Sequence, residues 1–174
     1  MKKQYQAATE KDRLILMSIM SKYAREVFDE TKPYEFRKSP LKKEDLNKKV
    51  FCYSAKEDKA IIGTFEVSKI LYGSTSELLK ATGYDKREDG QDVVNYLGKD
   101  NKNGFALKLD LVHEYMEPLT LHKLRKVDPK VAMPQYYQYV YENSPIYRPI
   151  IEHDKRYGYD ESTGLYLPKE HIKE

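Results

Sequence analysis

The sequence predicts an α+β fold: a small mixed β-barrel with one helix covering an opening, a helical insertion, and a tyrosine-rich C-terminal extension. Three observations carry that expectation. Five stretches, at 14–20, 34–38, 50–55, 60–70 and 105–115, either alternate apolar with polar residues or run apolar throughout, at strand length. Between the first two, the period switches to that of a helix. In the fourth, a central Gly63 marks the bulge or sharp bend at which a small barrel turns a corner.

Residues 1–11 are polar and aperiodic and read as a loose arm. The barrel domain is expected over 12–142. Leu14, Ile15, Leu16, Met17 and Ile19 form a run apolar on both faces, as a strand covered on both sides would be. Ser21 then offers a hydroxyl to cap a helix. Tyr23, Ala24, Val27 and Phe28 make one apolar stripe, with Lys22, Arg25, Glu26 and Asp29 on the wet side, and Pro33 ends the helix and sends the chain out extended. In the strand that follows, Tyr34 and Phe36 point to one side and are expected to be buried. Glu35 and Arg37 point to the other, an open face, with Lys32 at the helix-to-strand corner.

The stretch YAREVFDETKPYEFRK, with a lysine and an arginine five residues apart around an E-F-R strand, resembles the ASCH domains of the PUA-like barrel superfamily. In that family the corner reads G-x-K-x-x-x-x-R. Lys32 and Arg37 fill the charged positions, and Glu30 stands where the glycine is usual, so the tight corner is expected to be made another way. The resemblance extends more loosely from Leu14 to about Val140, through KAIIGTFEV and a late MPQYYQYV similar to the family's Pro-Gln-aromatic segment. It implies a PUA-like barrel and a ligand related to nucleic acid.

Beyond the corner, residues 39–49 carry Pro40 and lysines 42, 43, 48 and 49, and read as a loop or short helix. They form either a solvated face or, through Lys38, Lys42 and Lys43, a grip on a phosphate backbone. VFCYSA, 50–55, reads as an inner strand, and 56–58 as a turn into the strand at 60–70. Ser74 and Glu77 spell a capping box for a short helix that stops at Gly83, and Val93, Val94 and Leu97 suggest another, closed by Gly98. Such an insertion is where ligand-selecting elements tend to sit. After the turn KDNKNG, residues Phe105, Leu107, Leu109 and Leu111 alternate inward, with His113 continuing the register. LTLHKLRKV reads equally as strand or short helix. Pro134 is placed to open a helix with a stripe of Tyr136, Tyr137, Val140 and Tyr141, leaving Gln135 and Gln138 on its other side, where amides could read a base edge. The extension, 143–174, is rich in tyrosine and proline and is expected to wrap the barrel, with RYGYDESTGLYL turning as a hairpin at 162–164.

Composition excludes several classes of function. At 174 residues and 40% hydrophobic, the chain can bury one sizeable core, and 34% charged residues with 16 Tyr and no Trp give a surface-rich mix. A net charge of +3 announces no global polyanion field, so a basic site has to be local. The single Cys52 fits a reducing cytoplasm, and no stretch reads as signal peptide or membrane span. There is no phosphate-binding glycine loop, no paired cysteines, no H-E-x-x-H and no Gly-x-Ser-x-Gly, and the four histidines lack metal-ligand spacing, so neither metal nor cofactor is expected.

The strongest constellation is Lys32, Glu35 and Arg37. Read as a binding module, the cleft between the helix and the barrel takes RNA, single-stranded DNA or a modified nucleotide: Lys32, Arg37, Lys38, Lys42 and Lys43 meet phosphate or a base edge, Tyr34 or Tyr53 stacks, and Ser54 and Gln135 add polar contacts. Read as an enzyme, it is a small amidohydrolase acting on a modified nucleoside through Lys32 and Glu35. Some ASCH proteins resemble hydrolases of acylated cytidine that use the corner lysine, a nearby threonine and an acid, and here Glu35 stands where that threonine would be. A third reading is a regulatory adaptor that meets a protein partner through its tyrosine-rich extension.

Overall fold

A strand apolar on both faces has to be covered on both, and Leu14–Met20 (β1) is. Ile15, Met17 and Ile19 enter one core cluster, and Leu14 and Leu16 another. The computed structural model describes residues 13–160 and 165–166, so the expected arm and the turn at 162–164 lie outside the described residues. After β1 come α1 (Ser21–Phe28), β2 (Tyr34–Arg37), β3 (Lys49–Ala55), β4 (Ala60–Gly73), α2 (Thr75–Thr82), α3 (Gly90–Leu97), β5 (Gly104–Thr120), α4 (Leu121–Val127), β6 (Tyr137–Val140) and α5 (Tyr147–Tyr157). A two-stranded ladder, β7 (Tyr159–Asp160) with β8 (Leu165–Tyr166), ends the described chain.

The α+β class stands, and all five expected strands form, but the barrel does not close. One six-stranded sheet runs β2-β5-β4-β3-β1-β6, with β1 and β3 parallel and the other pairs antiparallel. Its edges, β2 and β6, are four residues each and do not pair with one another. A side chain spans the gap instead. Arg37, at the end of β2, donates from Nη2 to the Ser18 carbonyl of β1 (2.7 Å), and its guanidinium lies 4.8 Å from the ring centre of Tyr136, just before β6.

The sheet curls through register shifts along β3–β4 and β4–β5. Gly63 sits at one of them. A Cβ there would lie 2.4 Å from the His113 carbonyl and 2.6 Å from the Phe28 ring, so only glycine lets β5 and α1 approach this closely. The expected alternation of β5 breaks at Leu111, which takes φ 48° and is exposed, because two residues there oppose one on β4; His113 is consequently only half-buried.

Several local expectations change. Ser21 does not cap α1: its hydroxyl donates to the Ala55 carbonyl and accepts from the Glu57 and Asp58 amides, so it fastens the β3–β4 turn. The corner after α1 is made in the usual way despite lacking glycine. Glu30 itself takes φ 59°, while the Glu30 amide bonds the Val27 carbonyl and the Thr31 amide that of Glu26, a Schellman closure. The capping box at Ser74 and Glu77 and the left-handed Gly83 bound α2 as read. Leu121–Val127 resolves to helix, capped by Thr120 accepting from the Lys123 amide. Residues 137–140 are strand rather than helix, with Tyr137, Tyr139 and Tyr141 meeting edge to face along one side at about 6 Å and Val140 buried on the other. In the extension, Ile150 of α5 and Ile146 just before it pack into the second core cluster. Among the described residues no helix is long and apolar enough to cross a membrane.

Candidate functional site

The opening beside the Arg37 bridge is a cleft of about 580 Å³, within the range of about 300–1,000 Å³ usual for small-molecule sites. Its floor comes from the ends of β1 and β2, with Ser18, Glu35, Phe36 and Arg37. One wall is α1, through Lys22, Tyr23 and Glu26, and the facing wall is the insertion, through Tyr84, Asp89, Asp92, Val93 and Tyr96, with Pro134 and Gln135 at the side.

Lys32 reaches the cleft because the Schellman reversal at Glu30 turns the chain back under α1. It is 7% exposed. Its ammonium lies 3.9 Å from Glu35 Oε1, 5.4 Å from the ring centres of Tyr23 and Phe36 and 5.8 Å from that of Tyr84, a charge held among three aromatic rings. Glu35 is not on an open face. It is 6% exposed, accepts the Phe36 amide on Oε1 (3.1 Å) and has Arg37 Nη2 3.8 Å from Oε2. Removing one member of such a buried set costs about 3–5 kcal/mol, because a desolvated charge is left behind.

The insertion is tied to the corner by Arg87. Its Nε and Nη2 donate to the two carboxylate oxygens of Asp89 (2.8 and 2.7 Å), Nη2 also donates to the Thr31 carbonyl (2.7 Å), and the guanidinium covers the Tyr84 ring at 4.1 Å. The paired arginine holds the Asp89 carboxyl below its ordinary pKa, so it is anionic at neutral pH. Burial pushes the Tyr84 phenol up to about 12, with Arg87 opposing, so it stays a neutral donor. Burial likewise raises Tyr23 and Tyr136.

Among the described residues, six buried side-chain polar atoms have no hydrogen-bond partner. Four of them, Ser18 Oγ, Glu35 Oε2, Arg37 Nε and Tyr84 Oη, belong to residues lining this cleft, and a fifth, Tyr136 Oη, is on the ring beneath Arg37. A buried polar group left unpaired costs about 1–3 kcal/mol. Five of the six gather around this one cleft, beneath its accessible surface.

Of the residues singled out in the sequence, the structure brings Lys32, Glu35, Arg37 and Gln135 to this cleft. Lys38 stands at its mouth, Nζ 5.3 Å from the ring centre of Tyr96. Tyr34 lies behind, edge-on to Tyr84 at 6.4 Å. Tyr53 is buried in the second core cluster, Ser54 bonds Asp58 (2.6 Å) in the β3–β4 turn, and neither lines the cleft. Lys42 reaches over the Tyr139 ring at 5.6 Å, and it and Lys43 are absent from the lining. Sequence reasoning missed Ser18, whose one signal is a hydroxyl in an otherwise apolar strand. It also missed the aromatic and acidic residues of the insertion, which no spacing connects to the corner.

The architecture is ASCH-like, which defines the class of fold. The chain is similar to the crystal structure of ASCH from Zymomonas mobilis, with 19% identity over 80% of this chain and 96% of that one and a TM-score of 0.67. A tyrosine-to-phenylalanine variant and a serine-to-alanine variant of the same protein match with TM-scores of 0.67 and 0.66, at the same identity. No family model and no curated protein matches the sequence.

Proposed function

We propose that the cleft is a binding site for the base of a nucleotide, presented by RNA, single-stranded DNA or a modified nucleotide. The observation that carries this reading is the gathering of Lys32, Glu35 and Arg37 in one cleft beside the rings of Tyr23, Phe36 and Tyr84: a planar ligand with donors and acceptors on its edge would stack there against the charged groups. The charge balance argues against a phosphate backbone running through the cleft. Lys22, Lys32 and Arg37 face Glu26, Glu35, Asp89 and Asp92 across the lining, three cations against four carboxylates. A base is uncharged and tolerates that balance. A run of phosphates does not.

A second reading, hydrolysis of a modified nucleoside, is favoured by one observation: Ser18 supplies to the same cleft a buried, unbonded hydroxyl of the kind that Glu35 displaces from the corner motif. The two readings part at Glu35. Titration calorimetry with the four nucleosides and their monophosphates is expected to show binding that weakens about tenfold in Glu35→Gln, which keeps shape and one acceptor and loses the charge. Chromatography of acylated nucleosides incubated with the protein is expected to show no conversion. Turnover that vanishes in Glu35→Gln while binding persists would replace the first reading by the second, and no binding of any nucleoside or nucleotide at millimolar concentration would remove it.

A further inference from the structure

The cleft does not end where its enclosed part does. Tyr96, on the exposed side of α3, and Met20, at the end of β1, both line it and are both 45% exposed. Single exposed apolar side chains are ordinary. Two at the rim of one polar cleft extend its apolar surface outward, past the volume that one base and sugar fill. The helix sets this position: Val93 and Leu97 are buried in the third core cluster, Val93 also reaching the cleft, and Asp92 and Tyr96, one turn apart on the neighbouring face of α3, border the opening.

The charge at the rim differs from that inside. Among the described residues Lys38 has no carboxylate within ion-pair distance, and its ammonium lies over the Tyr96 ring, 5.3 Å from the centre. Lys22 meets Asp92 across the mouth at 3.8 Å, with both side chains exposed, a contact that solvent and salt readily break. The enclosed region is thus balanced in charge, and the rim offers an aromatic ring beside an unpaired ammonium.

We infer that the mouth carries a second subsite, for the nucleotide adjoining the one held inside, with Tyr96 as the stacking platform and Lys38 as the contact to the intervening phosphate. This rests on the reading of the cleft as a base site and makes its natural ligand a single strand rather than a free nucleotide. Lys38 has the flexible stem that the exchange requires: its ammonium leaves the ring for a phosphate, a stronger partner, and the freed face accepts a base. Because α3 belongs to the insertion that Arg87 ties to the Thr31 carbonyl, platform and inner site keep a fixed spacing. The neighbouring base is then recognised by stacking with little regard to its identity.

The test compares nucleoside 5′-monophosphates with trinucleotides, RNA and DNA, that carry the same central base, using titration calorimetry or fluorescence anisotropy. The trinucleotide is expected to bind roughly tenfold more tightly. In Tyr96→Ala the trinucleotide should bind no more tightly than the monophosphate does to the same variant, in Tyr96→Phe the gain should persist, and Lys38→Ala should reduce the gain and its salt dependence together. If monophosphates bind and the trinucleotide binds no better, or if the gain survives in Tyr96→Ala, the rim serves something other than nucleic acid and the inference is overturned. If neither class of ligand binds, the base site has failed, and the subsite fails with it. Circular dichroism is expected to be the same for all the variants, since Tyr96 and Lys38 are surface side chains.

Discussion

Glu30 shows how much a single backbone position decides. A left-handed conformation costs a residue with a Cβ roughly 1–2 kcal/mol, and glycine is the usual occupant of a Schellman corner. The corner nevertheless forms at φ 59°, because the Glu26 and Val27 carbonyls are satisfied there and Lys32 is delivered to the cleft two residues on. Glu30→Gly should therefore stabilise the protein by about 1 kcal/mol in urea denaturation while leaving the Lys32–Glu35 pair intact; a loss of stability would mean that the Glu30 side chain makes a contribution larger than its strain. At this scale Lys32 and Arg37 were legible, because their spacing is a property of the chain. The burial of Glu35 was not. Alternation along β2 assigns it the face opposite Phe36; the insertion packs on the Phe36 side, whereas Glu35 turns inward beside Lys32 and Arg37, close enough to act on Cys52 of β3 and on Tyr136, residues that lie far from it in the chain.

At the scale of elements, α5 is held to β5 by polar contacts between residues far apart in the chain. His153 donates from Nε2 to the Glu117 carbonyl (2.6 Å) and packs against the rings of Tyr115 and Tyr157, while Asp154 takes the Tyr115 hydroxyl (2.9 Å) and Lys49 (3.0 Å). Burial lowers the His153 pKa below its ordinary 6.5, with Lys123 also lowering it and the Glu117 carbonyl, Glu117 and Asp154 opposing. The folded protein thus holds this imidazole neutral, and the unfolded chain takes up the proton first. Stability from this group is present above about pH 6.5 and is lost as pH falls through the lowered value. The urea midpoint should drop between about pH 7 and about pH 5, and the drop should shrink in His153→Gln; an identical slope in both proteins would place the titration elsewhere. The misreading of 134–141 as a helix has a related cause. Tyrosines at i, i+1 and i+5 mark a helical stripe as readily as a strand lying on a ring ladder, and pairing with β1 settled it.

For the whole molecule, net charge and cleft lining together predict how binding responds to salt. With +3 overall and a balanced interior, the phosphates that matter are those at the rim, one or two in number. The log–log slope of trinucleotide affinity against salt should lie near −1, at about −0.7 per contact for a single strand, and replacing Lys42 and Lys43 together should leave it unchanged. A slope several times steeper, flattened by that double substitution, would move the binding surface to the lysines of 42–49.

The order and type of most elements followed from the sequence alone, because periodicity, the Ser74–Glu77 box and the glycines at 83 and 98 are local and need no partner to be read. The ASCH-like class followed as well, from the corner of α1 and β2. Whether the barrel closed was decided by tertiary structure, since the two four-residue edge strands, far apart in the chain, do not pair, and Arg37 reaches from β2 to the Ser18 carbonyl of β1 and the Tyr136 ring instead. So was the cleft. Its charges come from a motif that the sequence displays, but its walls, its unpartnered atoms and its rim come from an insertion folded back over that motif, and no spacing along a chain encodes a contact that only packing brings about.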